Sequence, residues 1–168
     1  LTLSDTRLAT MAEDLAAIPH ITTLRLHSRV PVVLPERIDD ALLNWISASR
    51  LHVILVIHCN HANEIDTSVL NAMQQLKSAG ITLLNQSVLL RGINDDAKSR
   101  WQLGHRLLEA GVLPYYLHQL DPVQGAAHFA VSDARAHCLM AEIRAQLPGY
   151  LVPRLVRENP GESAKTPL

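Results

Sequence analysis

The sequence has few cysteines, no long apolar run and no excess of charge of either sign. Its two cysteines, Cys59 and Cys138, lie far apart and form no C-x-x-C pair. That spacing argues against a disulfide framework and against an internal zinc or iron–sulfur site, so we expect a reducing, cytoplasmic environment. No apolar segment approaches the roughly 18 residues that cross a bilayer, and no membrane association is expected.

The charged residues are nearly balanced, with 15 Lys and Arg against 16 Asp and Glu scattered along the chain. Because no block of basic or acidic residues is present, the charge pattern does not predict nucleic-acid binding. A small molecule is the expected partner, and the protein could also form a homo-oligomer. The 168 residues, 48% of them hydrophobic, can bury one core. Because the first residue is Leu1 and no leader precedes it, we expect a piece of a longer chain.

Hydrophobic periodicity predicts an alternation of strands and helices. Apolar or β-branched runs predict strands, and spacings of three and four residues between capping and glycine signals predict helices. The predicted strands lie at 21–28, 52–60, 81–90, 112–120 and about 150–156. The predicted helices lie at 5–18, 35–49, 66–80, 95–111 and 132–147. This pattern is typical of an α/β fold with a parallel sheet, either open or part of a (βα) barrel.

Polar residues follow each predicted strand. In parallel α/β proteins the carboxyl ends of the strands are where ligands bind, so five polar clusters at five strand ends indicate a site. The clusters are LHSR at 26–29, HCNHANE at 58–64, NQSVLLRGIND at 85–95, HQLD at 118–121 and RENPGESAK at 157–165.

Each cluster also has a simpler interpretation. His58, His61 and Glu64 could bind zinc in a metal-dependent hydrolase, although an i, i+3 histidine pair leaving a strand need not converge on one ion. Asp121, which precedes a proline, could start a turn. Lys165 could be a solvated charge, or it could be a reactive amine held on a Gly/Ser-rich loop. If none of these residues has a chemical role, the whole chain could be a non-catalytic α/β module.

Five long stretches, taken in order, resemble the lysine 2,3-aminomutase family of radical enzymes. The stretch at 117–129, LHQLDPVQGAAHF, is most similar to the bacterial branch called elongation factor P β-lysylation protein. The matching stretches are HSRVPVVLPERI at 27–38, HCNHANEI at 58–65, GITLLNQSVLLRGIND at 80–95, the segment at 107–129 and the terminal Gly-Lys loop.

The resemblance implies a partial barrel that holds a [4Fe–4S] cluster, S-adenosylmethionine and pyridoxal phosphate around a bound lysine. By the same resemblance, Lys165 matches the lysine that forms the internal aldimine with pyridoxal phosphate. His58 and Gln86 match contacts to S-adenosylmethionine. Asp121 matches the carboxylate that receives the substrate's ε-ammonium, and Glu158 stands where the family carries an aspartate as the second carboxylate.

The family's C-x-x-x-C-x-x-C cluster motif and its phosphate-binding arginines have no match here. Three thiolates are needed for such a cluster, so this chain cannot bind one by itself. We therefore expect residues 1–168 to be the carboxyl-terminal portion of one radical S-adenosylmethionine domain, inactive alone.

The reaction implied by the resemblance is the conversion of L-α-lysine to β-lysine. A 5′-deoxyadenosyl radical would remove hydrogen from the β-carbon of the bound lysine, and the nitrogen would migrate from the α- to the β-carbon. The closest branch implies a functional link to elongation factor P and the ligase that attaches β-lysine to it.

Overall fold

A six-stranded sheet forms the centre of the molecule, as a computed structural model of residues 1–168 describes it. The strands lie side by side in the order β1 to β6, and all neighbours are parallel except β5 and β6, which are antiparallel. The strands are β1 (Thr23–Ser28), β2 (His52–His58), β3 (Thr82–Val88), β4 (Leu113–His118), β5 (Arg154–Arg157) and β6 (Thr166–Pro167).

Helices connect the parallel strands. Single turns of 3₁₀ helix lie at Pro35–Arg37, Ala62–Glu64, Ala127–Phe129 and Gly149–Leu151. The helices are α1 (Asp5–Ala16), α2 (Val30–Val33), α3 (Asp40–Ala48), α4 (Thr67–Ser78), α5 (Ala97–Glu109) and α6 (Asp133–Gln146). None of them combines the length and the apolar character that crossing a membrane requires.

The strand order decides where the helices lie. Crossovers between parallel strands are right-handed, and here each one moves to the next strand in the same direction, so all the connecting helices fall on one face of the sheet. A doubly wound sheet would reverse its order and carry helices on both faces. The single direction is that of a (βα) barrel segment, and the predicted α/β class with a parallel sheet is confirmed.

The core fills the space between the sheet and these helices. Leu55 and Ile57 of β2 are buried against Leu42 of α3, Met73 of α4 and Leu103 of α5. A second cluster joins β4 and β5 to α6, and its largest members are Leu117, Leu139, Met140, Ile143 and Leu155. These side chains all lie on the face of the sheet that the helices cover, and the opposite face has no helices.

The segment before α3 differs from the prediction of one helix starting at Pro35. The α-helix begins only at Asp40, because Asp39 is the N-cap and its carboxylate accepts a hydrogen bond of 2.9 Å from the backbone N–H of Leu42. Pro35–Arg37 forms a separate 3₁₀ turn, and the unpredicted α2 lies at Val30–Val33.

The carboxyl-terminal segment also differs. The last predicted strand, near 150–156, is a 3₁₀ turn at Gly149–Leu151 followed by a strand that starts at Arg154. The loop after it returns as the unpredicted β6, so that Lys165 lies beside β5. The first helix ends at Ala16 rather than at residue 18.

Candidate active site

The helix-free face of the sheet carries most of the predicted site residues. Side chains alternate between the two faces of a strand. Leu55 and Ile57 of β2 and Leu83 of β3 point into the core on the helix side. His58 and Gln86 lie an odd number of positions further along the same two strands, so they point to the helix-free face. We call this surface the open face.

A polar row crosses the open face from β2 to β5. His58 pairs in register with Gln86, Gln86 with Tyr116, and Tyr116 with Arg154. Neighbouring strands lie about 4.8 Å apart, so His58 and Tyr116 stand about 10 Å apart across the sheet. His58 and Gln86, from two strand-end clusters that were predicted separately, therefore share one surface.

Two polar atoms in this row lack a partner within the protein. His58 Nε2 and Gln86 Oε1 are both buried without a hydrogen bond. Burial lowers the pKa of His58, and the neighbouring His27 and Arg29 lower it further, so its ring is neutral at neutral pH. A neutral imidazole and an amide with free hydrogen-bonding capacity suit a polar ligand lying on this face.

His27 extends the same end of the row onto the edge strand. Its ring centroid lies 6.3 Å from that of His58, and its Nε2 is 3.2 Å from Nη2 of Arg25. Burial is the main cause that lowers the pKa of His27, and Arg25 lowers it further; the nearby side chain of Gln86 opposes the shift, although the two groups do not meet in a hydrogen bond of good geometry. This end of the open face thus combines two neutral imidazoles with one guanidinium.

Lys165 and Glu158 form an ion pair at the other end of the row. The ammonium of Lys165 also lies 5.5 Å from the centre of the Tyr116 ring, within the range of a cation–π contact. Nδ1 of His118 is 3.8 Å from a carboxylate oxygen of Glu158. The Lys165 ammonium holds the pKa of Glu158 below its usual value, so that the carboxylate is ionised.

His118 is the most buried titratable group of this cluster. Burial lowers its pKa, the charge of Lys165 lowers it further, and the carboxylates of Glu158 and Asp121 oppose the shift. At neutral pH His118 is therefore a neutral ring beside an ion pair, and its buried Nε2 has no partner.

Asp121 lies three residues beyond β4, with its side chain exposed. Its backbone carbonyl accepts a hydrogen bond of 2.8 Å from Val123, which makes the turn expected before a proline. The charge of Asp121 opposes the lowering of the pKa of His118, so this carboxylate lies in the neighbourhood of His118. Asp121 therefore forms a backbone turn and also presents a carboxylate, so one interpretation does not exclude the other.

A buried amide fixes the strand end that carries His58. The side chain of Asn85, 1% exposed, accepts a hydrogen bond of 2.9 Å from the backbone N–H of Cys59 and donates one of 3.1 Å to its carbonyl. Ser87 donates to the same carbonyl at 2.9 Å and receives a bond of 3.1 Å from Asn85. Asn85, the first residue of the predicted polar cluster at 85–95, is part of the scaffold and not of the open face.

Comparisons with known proteins agree on one family. The chain is 52% identical over 168 residues to an L-lysine 2,3-aminomutase from Escherichia coli K12, a match that covers 100% of this chain and 49% of that protein. It is 48% identical over 166 residues to the protein of the same name from Haemophilus influenzae, covering 99% of this chain and 49% of that one. The protein of that name from Clostridium subterminale is 39% identical over 169 residues, which cover 100% of this chain and 40% of that protein.

The chain belongs to the lysine 2,3-aminomutase family. It spans about half the length of the curated relatives it matches. No protein-family model matches it. Among solved structures, a radical SAM methyltransferase from Sphaerobacter thermophilus superposes with a TM-score of 0.49 at 16% identity, over 70% of this chain and 38% of that one.

The zinc alternative finds no support in the geometry of this family member. No group of three or more His, Cys, Asp or Glu side chains is arranged to hold a metal ion. Glu64 Oε1 accepts the backbone N–H groups of Asn60 and His61, and Oε2 binds Arg29 at 2.5 Å. His61 Nδ1 caps the following turn, accepting from the N–H of Asn63 at 3.2 Å.

The resemblance implies three cofactors: S-adenosylmethionine, pyridoxal phosphate and a [4Fe–4S] cluster. The residues of this chain fit the first two but not the cluster. The unpartnered polar atoms of His58 and Gln86 fit a ligand rich in donors and acceptors, and the half-exposed amine of Lys165 fits an aldehyde. The chain offers no cluster ligands, because Cys59 is buried, Cys138 is exposed on α6, and the two lie on different elements.

Three side chains of the open face have no individual role predicted from the sequence, although two of them lie in the predicted strand-end clusters at 26–29 and 118–121. They are His27, Tyr116 and His118, each of which alternates with a core residue on its strand. The available signal was the alternation itself, since a residue that neighbours a core residue on a strand points to the opposite face.

Proposed function

We propose that the full-length protein is a lysine 2,3-aminomutase and that this chain is the carboxyl-terminal portion of its single catalytic domain. The observation that carries the proposal is the placement of the family-matched residues. His58 and Gln86 lie in one cross-strand row of the open face, and Lys165 with Glu158 lies at the end of that row. The name of the relatives, L-lysine 2,3-aminomutase, supports a small amino acid as the substrate class.

Lys165 is the proposed attachment point for pyridoxal phosphate, whose ring withdraws electrons from the atoms bonded to its aldehyde carbon when bound. Its amine lies above the ring of Tyr116 and beside a carboxylate. The Gly/Ser-rich loop before it, with Gly161 at a φ of +86°, lets the backbone turn towards the face. The side chain is thereby directed over the sheet and not into solvent.

Asp121 and Glu158 are the proposed receptors for the ε-ammonium of lysine. Glu158 lies 3.8 Å from Nδ1 of His118, and the charge of Asp121 also acts on this ring, which is neutral and adds no competing positive charge. An acidic amino acid would be repelled by the same pair, so the arrangement favours a cationic side chain. Glu158 is one methylene longer than the family's aspartate, and it reaches the ammonium of Lys165 across the loop.

His58 and Gln86 are the proposed contacts for S-adenosylmethionine. They lie about two strand spacings from the Lys165 end of the row, so the two cofactors would be neighbours on one surface. Their task is to orient the ligand, while the cluster ligands belong to residues outside this chain. The product would be β-lysine, and similarity to the elongation factor P β-lysylation branch implies that it is attached to elongation factor P.

The test is an absorbance spectrum of the full-length protein loaded with pyridoxal phosphate, alone and as variants. We expect the band of the lysine-bound cofactor in the native protein and its loss in Lys165→Ala. Lys98→Ala, an exposed lysine of α5, is the matched control and should keep the band. A normal band in Lys165→Ala would contradict the assignment, because the cofactor would then be bound to another lysine. The absence of the band from the native protein as well would favour a non-catalytic module.

A further inference from the structure

The contact between Glu158 and Lys165 is built into the backbone. Strands β5 and β6 are antiparallel, with Val156 opposite Pro167 and Arg157 opposite Thr166. The next opposed pair in this register is Glu158 and Lys165, so the two side chains meet on one face of a hairpin.

The hairpin has further ties that hold this register. Asn159 Nδ2 donates a hydrogen bond of 3.0 Å to Thr166 Oγ1, and the N–H of Glu162 bonds to the carbonyl of Asn159 at 3.2 Å. The N–H of Leu168 bonds to the carbonyl of Leu155 at 3.2 Å. Because both sides of the loop are anchored, Lys165 is the cation closest to Glu158 in the absence of a ligand.

The remaining charged and titratable groups around Glu158 do not replace Lys165. His118, the nearest from β4, is neutral at neutral pH, and Asp121 has the same charge as Glu158. From β5, Arg157 is engaged with the carboxylate of Asp133. His58 on β2 is also neutral and Tyr116 presents only its ring to Lys165.

We propose that Glu158 changes partner as the enzyme is loaded: it binds the ammonium of Lys165 before the cofactor is attached and the ammonium of the substrate side chain afterwards. This inference rests on the proposed function. When the Lys165 amine adds to an aldehyde carbon, a C=N bond forms, water leaves, and the ammonium proton passes to solvent. The resulting nitrogen no longer presents a three-donor ammonium to Glu158, and the carboxylate is free for another cation.

The consequence is an order of binding. Before attachment, an incoming alkylammonium must displace Lys165 from Glu158, whereas after attachment it meets a free carboxylate. The side chains of Lys165 and Glu158 are 27% and 54% exposed, so the competition is that of a partly solvated ion pair. An ion pair of this kind contributes up to about 1 kcal/mol, so breaking it should weaken the binding of the incoming alkylammonium by up to about fivefold.

The experiment measures binding of 6-aminohexanoate, a lysine analogue without the α-amine, to cofactor-free full-length enzyme by calorimetry. Lys165→Met removes the competing charge and keeps the side-chain length, and we expect it to bind the analogue about fivefold more tightly than the native enzyme. Lys165→Arg keeps a cation beside Glu158 and should show no gain. In the double variant Lys165→Met/Glu158→Gln the gain should disappear.

Equal affinity of the Lys165→Met and Lys165→Arg variants would overturn the partner exchange, as would a gain that survives Glu158→Gln or an analogue that binds none of the proteins. Thermal unfolding of each variant shows that it is folded. The cofactor band of the native enzyme is recorded separately. If that band is present and the gain absent, the proposed function stands and the exchange falls; if the band is absent, the proposed function falls by itself.

Discussion

Replacing Asn85 with leucine should destabilise the protein by about 2–3 kcal/mol. The residue is buried, and its side chain makes hydrogen bonds to the N–H and C=O of Cys59 and to Ser87. Each such bond contributes about 1 kcal/mol net, so their loss costs about 3 kcal/mol. Leucine has a similar volume and recovers part of this, about 1 kcal/mol, through its apolar surface.

The backbone N–H of Cys59 is the group that decides the outcome. Ser87 still donates to the carbonyl of Cys59 in the variant, at 2.9 Å, so that oxygen stays satisfied. The N–H of Cys59 has no other acceptor, and a buried orphan donor is costly. Since Cys59 directly follows His58, the same loss loosens the strand end that presents His58 to the open face.

The assay is equilibrium urea unfolding of the cofactor-free full-length protein, followed by circular dichroism. Asn71→Leu, at an exposed position of α4, is the matched control and should change the stability by less than about 0.5 kcal/mol. The midpoint should fall for Asn85→Leu with an unchanged slope. A loss below about 1 kcal/mol would refute the reasoning, because the end of β2 would then be held by something other than this amide.

Two further predictions concern charge. Burial depresses the pKa of His27, His58 and His118, so the unfolded chain binds more protons than the folded one as pH falls through about 6.5. The free energy of unfolding should therefore be highest above that pH and decrease towards pH 5, less steeply in His118→Gln; an equal slope in both proteins would remove His118 from the explanation. Asp121→Ala should weaken lysine binding to the loaded enzyme by about tenfold, as loss of one charged hydrogen bond implies, with Asp14→Ala as an exposed control and calorimetry as the measurement. Equal affinities would exclude Asp121 from the site.

The elements of the fold were predictable where a local signal is strong. The run HVILVIH predicts β2 because it is a short, almost continuous apolar segment rich in β-branched residues. Gly80 and Gly111 mark the ends of helices, with φ values of +80° and +74°. Strand β6 could not be predicted, because it is two residues long and depends on pairing with β5. The four-residue α2 is too short for a periodic pattern to appear.

The candidate site was predictable in part and for a different reason. The carboxyl-end rule for parallel sheets indicates the edge where His58, Gln86 and Asp121 lie. It does not indicate that Lys165 meets Glu158, since that contact follows from the β5–β6 register. The chemical roles came from the family resemblance, because a loop lysine has no local pattern that distinguishes a reactive amine from a solvated one.

The open face separates two kinds of chemistry. On β2 and β3 the row consists of His58 and Gln86, neutral groups with unused hydrogen-bonding capacity. At the β5–β6 end it consists of the ion pair of Glu158 and Lys165, with the ring of Tyr116 between the two ends. A neutral polar surface can orient a ligand through directional hydrogen bonds, whereas an ion pair can exchange one cation for another. The two ends lie in one cross-strand row of three strand spacings, about 14 Å from His58 to Arg154, so ligands bound at the two ends would be neighbours on one surface.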